Sequence, residues 1–213
     1  MEDLYNYLVK EYGYDEPIFS EDLIKDLNLN SNTLRQQLKR LTDQNKIKRC
    51  SFKDGIYFIP DPDSILKISA LSVNKIIKNK YLFKKSQRIG YVTGLDFANS
   101  LKLTTQVPGM IEIVTENASS KKRYVEYNKR RVALRKAKTD ITENNYKILQ
   151  AIELINNFNK VSDVPMERAV LKILDYIKDV KITSKELDYY LSLYPRSIKL
   201  FMRSGLYSEI TQK

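Results

Sequence analysis

The 213-residue chain has no histidine and no tryptophan, and only one cysteine, Cys50. Without histidine, every Ser-His-Asp, Cys-His and His-metal arrangement is excluded. A lone cysteine allows neither an intrachain disulfide nor a thiolate zinc site, which fits a reducing compartment. The six glycines, Gly13, Gly55, Gly90, Gly94, Gly109 and Gly205, are too scattered for a phosphate-cradling loop or a dinucleotide fingerprint. No apolar run approaches ~18 residues, so no membrane span is expected. The opening Met1-Glu2-Asp3-Leu4 is acidic and periodic rather than basic then apolar, which argues against a signal peptide. Carboxylates are not grouped for metal chemistry either. Asp179-Val180-Lys181 ends a predicted helix, and Asp61-Pro62-Asp63 lies in a proline break. The expectation is a cytoplasmic protein that is not an enzyme, with no catalytic, cofactor or metal site.

What is present is basic charge. Thirty-seven Lys and Arg against twenty-six Asp and Glu leave +11. On a chain of ordinary globular composition, such an excess points to a polyanionic partner, most often nucleic acid. The excess is concentrated in two places. Arg35 to Lys53 holds seven basic residues and one acid, Asp43; Lys121 to Lys138 holds nine and one acid, Glu126.

The first sixty residues have a readable order. Leu4, Leu8 and Val9 with Tyr5 and Tyr12 stripe a helix ending at Gly13. Ser20 is a natural N-cap for a short second helix containing Leu23, Ile24 and Leu27. Asn30 or Ser31 caps a third helix, whose inner face is Leu34, Leu38 and Leu41. Strand-like runs 47–52 and 56–59 follow, joined by Asp54-Gly55, a strong hairpin signal. Three helices and a hairpin predict a winged helix-turn-helix over 1–60. Its third helix would present Asn32, Thr33, Arg35, Gln36, Lys39 and Arg40, side chains suited to base edges and phosphates in a major groove. The wing would present Lys53, and Cys50 reads as a small buried residue.

Pro60-Asp61-Pro62 marks a boundary, so a second, basic domain is expected over 61–213. A helix with Ile65, Leu66, Ile68, Leu71, Val73, Ile76 and Ile77 on it comes first. Strands are expected at about 110–135 and helices at about 143–205, which makes the whole chain α+β. Alternation in the strand around Tyr124 places Lys122, Tyr124 and Glu126 on one face and Arg123, Val125 and Tyr127 on the other. Asn128 to Arg131 reads as the following turn. Lys121, Lys122, Arg123, Lys129, Arg130, Arg131 and Arg135 then form a second basic surface. Either its tyrosines stack on nucleic acid, or they pack inward and leave the cations solvated. Two basic surfaces working together would clamp or bend DNA.

Several segments together resemble a known family. They are Tyr57-Phe58-Ile59-Pro60 at the end of the predicted wing, Thr93-Gly94, Ala98-Asn99, and Leu101 through Leu103-Thr104-Thr105-Gln106-Val107-Pro108. In this order, over roughly residues 1–160, the chain resembles the AbiE-type antitoxins, the regulatory halves of abortive-infection, type IV toxin–antitoxin pairs. The resemblance implies an autorepressor that binds inverted repeats in its own promoter, as a monomer or dimer on double-stranded DNA. It also implies neutralisation of a nucleotidyltransferase-like toxin without a stable complex. Other readings are a winged-helix regulator without a toxin, and a winged-helix adaptor for protein. Within the motif, Gln106 is expected to bond its backbone neighbours, with Pro108 ending an element.

The last third is helical in pattern, with a capping box at Thr183-Ser184-Lys185-Glu186. Shifting the chain by 164 sets Leu34 and Leu38 on Ile198 and Met202. That alignment predicts a second helix-turn-helix-like unit with Arg196, Ser197, Lys199 and Arg203 outward, serving as a packing or dimer element rather than a DNA reader.

Overall fold

Residues 4–63 and 71–211 are described by a computed structural model, which is mixed α+β. The chain divides into two units, Met1–Asn79 and Lys80–Lys213. The first part of the helix expected from Ile65 to Ile77, residues 65–70, lies outside the described residues.

In the first unit, α1 (Leu4–Tyr12) stops at Gly13, whose φ of +73° suits glycine. A short strand β1 (Ile18–Phe19) leads directly into α2 (Ser20–Asp26) and then α3 (Ser31–Asp43). Strands β2 (Lys48–Arg49) and β3 (Ile56–Phe58) complete a three-stranded antiparallel sheet in the order β1-β3-β2. Leu8, Ile18, Leu23, Leu34, Leu38, Leu41, Ile47 and Ile59 form the core. Cys50 is buried.

Two local expectations need adjustment. Ser20 does not cap α2, whose N-cap is Phe19 without a side-chain bond. The Ser20 N–H instead donates to the Gly55 carbonyl at 2.9 Å, tying the start of α2 to the β2–β3 turn. The paired strands are also shorter than the apolar alternation implies. No sequence signal marked the two residues of β1, which acquire strand geometry only by pairing Ile18 with Tyr57 and Phe19 with Ile56. The unit closes with α4 (Val73–Ile77), capped by Ser72. Lys75 on α4 reaches the Asp15 carbonyl and the Glu16 carboxylate, both at 2.8 Å. A π-helical turn, Lys78–Leu82, follows α4 in the chain.

The second unit begins with a small hairpin of β4 (Phe83–Lys84) and β5 (Gln87–Arg88). Its main sheet contains β6 (Gly90–Thr93), β7 (Ile111–Thr115), β8 (Lys122–Tyr127) and β9 (Arg130–Lys136), in the order β6-β7-β9-β8. Strands β7 and β9 are parallel; the other pairs are antiparallel. Between β6 and β7 lies α5 (Gly94–Ser100). Gly90 is required where it stands, because a Cβ there would lie 2.0 Å from the Tyr81 carbonyl oxygen and 2.8 Å from that of Val114.

The helices that follow are α6 (Tyr146–Asn156), α7 (Phe158–Val161), α8 (Met166–Tyr176), α9 (Ser184–Ser192), α10 (Pro195–Arg203) and α11 (Leu206–Thr211). Helix α6 is the centre of this unit, buried continuously from Ile148 to Ile155. Burial on all sides means its polar residues need partners inside. Gln150 donates to the Val92 carbonyl at 2.7 Å and accepts from the Tyr176 hydroxyl. Glu153 accepts from Arg135 and, at 3.0 Å, from Asn157. At the start of α9 the capping box is present, with Thr183 accepting from the Glu186 N–H and Glu186 accepting from that of Thr183.

The 164-residue alignment fails on α10. This helix packs along α6 with Ser197 and Phe201 buried, while Met202 is 46% exposed. The inward stripe is therefore set one residue earlier than the aligned leucines require. Ser197, expected outward, donates instead to the Tyr194 carbonyl at 2.7 Å. Arg196, Lys199 and Arg203 are exposed.

Candidate nucleic-acid interface

Helix α3 starts cleanly because the Asn30 side chain accepts from the Asn32 N–H at 2.8 Å. From there its leucines recur at helical spacing and fix the rotation of the whole helix. Leu34, Leu38 and Leu41 are at most 5% exposed. At about 100° per residue, Asn32, Gln36 and Lys39 then lie opposite the buried stripe. Arg35 falls on one flank, and Thr33 and Arg40 on the other. All six are exposed, as is Lys53 near the β2–β3 turn.

The Arg35 flank faces a groove of about 540 Å³ between α3 and the β2–β3 segment. Arg35, Lys39, Thr42, Arg49, Asp54 and Tyr57 are among its lining residues. Arg49, which the sequence reading passed over, is held across the turn by Asp54 at 2.9 Å. Strand alternation does not find it, because adjacent Lys48 is exposed as well and Ile47, two residues earlier, is buried. Both side chains of this ion pair are more than half exposed, so the pair opens at little cost.

The second basic stretch is only partly a surface. Lys121, Lys122, Arg123, Lys129, Arg130 and Arg131 are exposed, and Tyr124 is 55% exposed. Tyr127 packs inward, its hydroxyl 2.8 Å from that of Tyr81. One tyrosine of the strand is thus outside and the other inside. Arg130 and Arg131 belong to β9 rather than to the turn. Asn128 and Lys129 alone make that turn, with φ values of 45° and 66°. Two consecutive left-handed residues give the tight connection whose twist matches paired strands.

Arg135 does not join the exposed cations. It pairs with buried Glu153 and lies 3.8 Å from Glu112. Burial disfavours its charged form, but Glu153 and Glu112 more than offset that, so its pKa lies above the ordinary arginine value.

The Thr104–Pro108 segment is held by a residue far along the chain. Asp163 accepts from the Thr104 hydroxyl, from the Gln106 side-chain amide at 2.8 Å and from the Thr105 N–H at 3.3 Å. Hydrogen bonds from Thr104 and Gln106 keep its pKa below the usual carboxylate range. The Gln106 side chain therefore bonds Asp163 and not its backbone neighbours. Its carbonyl accepts from Asn99 at 2.6 Å, which joins two parts of the sequence motif.

A family model described as "Family of unknown function (DUF6088)" matches residues 9–184. The chain belongs to this family. No curated protein matches the sequence. The family match takes in α3, the β2–β3 segment, the Thr104–Pro108 segment and the whole β6-β7-β9-β8 sheet, and ends at the first residue of α9.

Proposed function

We propose that residues 1–60 are a winged helix that binds double-stranded DNA, with α3 in the major groove and the β2–β3 wing against the backbone. The exposed face of α3 carries this reading: Asn32, Gln36 and Lys39 opposite the buried leucines, flanked by Arg35 and Arg40. Asn and Gln suit adenine edges, Arg suits guanine, and Lys suits phosphate. The order helix, strand, helix, helix, two strands supports it, as does the groove that puts Arg49 beside Arg35 and Lys39.

With the AbiE-type resemblance, the reading extends to a cytoplasmic antitoxin that represses its own promoter at inverted repeats. Its functional partner would be a nucleotidyltransferase-like toxin. The test is a mobility-shift titration on the DNA upstream of the coding sequence, against random DNA of equal length, at two salt concentrations. Selective, salt-sensitive shifts are expected. Equal affinity for both DNAs would reduce the winged helix to a nonspecific phosphate grip, and no affinity would leave it as a protein contact. Toxin co-expression then tests the antitoxin role.

A further inference from the structure

Strand β8 ends the second unit's sheet, and among the described residues only β9 pairs with it. Its phase is set at both ends. The Lys136 N–H donates to the Lys121 carbonyl, and the two-residue turn closes Tyr127 onto Arg130. In an antiparallel ladder the bonding direction alternates, so Lys122, Tyr124 and Glu126 turn their backbone groups to the outer edge. Their side chains share one face of the sheet and are all exposed.

We propose that this edge pairs with the same edge of a second copy of the chain, antiparallel and centred on Tyr124. The three outward residues are self-complementary in that register. Tyr124 meets Tyr124 across the two-fold axis, and each Lys122 meets the other copy's Glu126. Glu126 is the sole acid between Lys121 and Lys138, and it already lies opposite Arg131 on β9. In the pair it stands between two cations, Arg131 of its own copy and Lys122 of the other. Opposite charges and aromatic pairs directly across a ladder are stabilising, and like charges there are not. A shift by two residues would set lysine against tyrosine and leave Glu126 beyond the paired stretch, so the charge pattern selects one register. The remaining cations flank the pair and oppose it, which leaves the two Glu126 side chains to decide whether it forms. An isologous contact of this kind closes as a dimer and extends no further.

Nucleic acid is the competing occupant, and the outward side chains argue against it. Cations project to both faces here, Lys122 on one and Arg123 on the other, whereas a duplex laid on the sheet would meet one face.

The experiment is sedimentation equilibrium of the full chain over a concentration series, with charge variants at this edge. Wild-type protein is expected to dimerise. Lys122→Glu and Glu126→Lys should each weaken association about tenfold or more, and the double variant Lys122→Glu/Glu126→Lys should restore it. Under mild oxidation, Tyr124→Cys should cross-link to itself, whereas Glu126→Cys should do so only when mixed with Lys122→Cys. A monomer at all concentrations, a charge swap without rescue, or equal self-cross-linking of Tyr124→Cys and Glu126→Cys would overturn the proposal. So would random duplex DNA protecting the Lys122, Tyr124 and Glu126 amides from hydrogen exchange in dilute protein. None of these readouts depends on operator binding by α3.

Discussion

Replacing Arg135 with methionine separates a structural cation from a surface one. In the folded protein Arg135 is the principal charge partner of Glu153, whose side chain is 3% exposed. Removing one member of a buried ion pair leaves the other charged without compensation, at a cost of about 3–5 kcal/mol. The lower end applies here. Arg135 is itself 27% exposed, and Asn157 continues to donate to Glu153. A loss near ~3 kcal/mol corresponds to a melting point lower by roughly 6–12 °C for a chain of this size. Thermal unfolding followed by far-ultraviolet circular dichroism measures it directly. The double variant Arg135→Met/Glu153→Leu should recover most of the loss, because an apolar pair of similar volume is about as stable as a buried ion pair. Arg131→Ala, which removes an exposed arginine, should stay within about 0.5 kcal/mol of wild type. Melting of Arg135→Met within ~2 °C of wild type, or a double variant no better than the single, would refute the assignment.

Arg35→Ala and Gln36→Ala should each cost about 1–3 kcal/mol on the cognate site and much less on random DNA, read by competition mobility shifts. Equal losses on both DNAs would make these residues phosphate contacts. Gly90→Ala should destabilise by about 3 kcal/mol or more, since its methyl would meet two carbonyl oxygens. Gly109→Ala, where a Cβ meets nothing within 4 Å, is the matched control for the same melting experiment. Asp163 titrates lower in the folded chain than in the unfolded one. Its hold on the Thr104–Gln106 segment is therefore complete above the ordinary Asp value of about 4 and is lost as pH falls through the lower folded value. The Gln106 side-chain amide resonance, followed against pH, should move in that acid window, and Asp163→Asn should abolish the movement.

Local chemistry made part of this legible. The leucine spacing of α3 fixed which side chains face outward, and the Thr183–Glu186 capping box needed only residues within one turn. The β8 alternation followed from period two alone. Arg135 shows where such reasoning stops. In the sequence it is one cation among nine, and its role depends on Glu153, eighteen residues later on another element. Gln106 was misread for the same reason, because its partner Asp163 lies fifty-seven residues away. The face of α10 was misassigned because packing along α6, not leucine rhythm, chose which residues went inside.

The sequence alone therefore determined the helical periods, the caps of α3 and α9, the charge distribution and the chemistry of the α3 surface, all of which depend on neighbours within a turn or a strand. Tertiary structure decided the strand order β6-β7-β9-β8, the parallel pairing of β7 with β9, and which strands were left at the two edges. It also decided which of the cations became interior ion pairs. Those outcomes depend on burial and on contacts between distant residues, and no short window of sequence contains both partners.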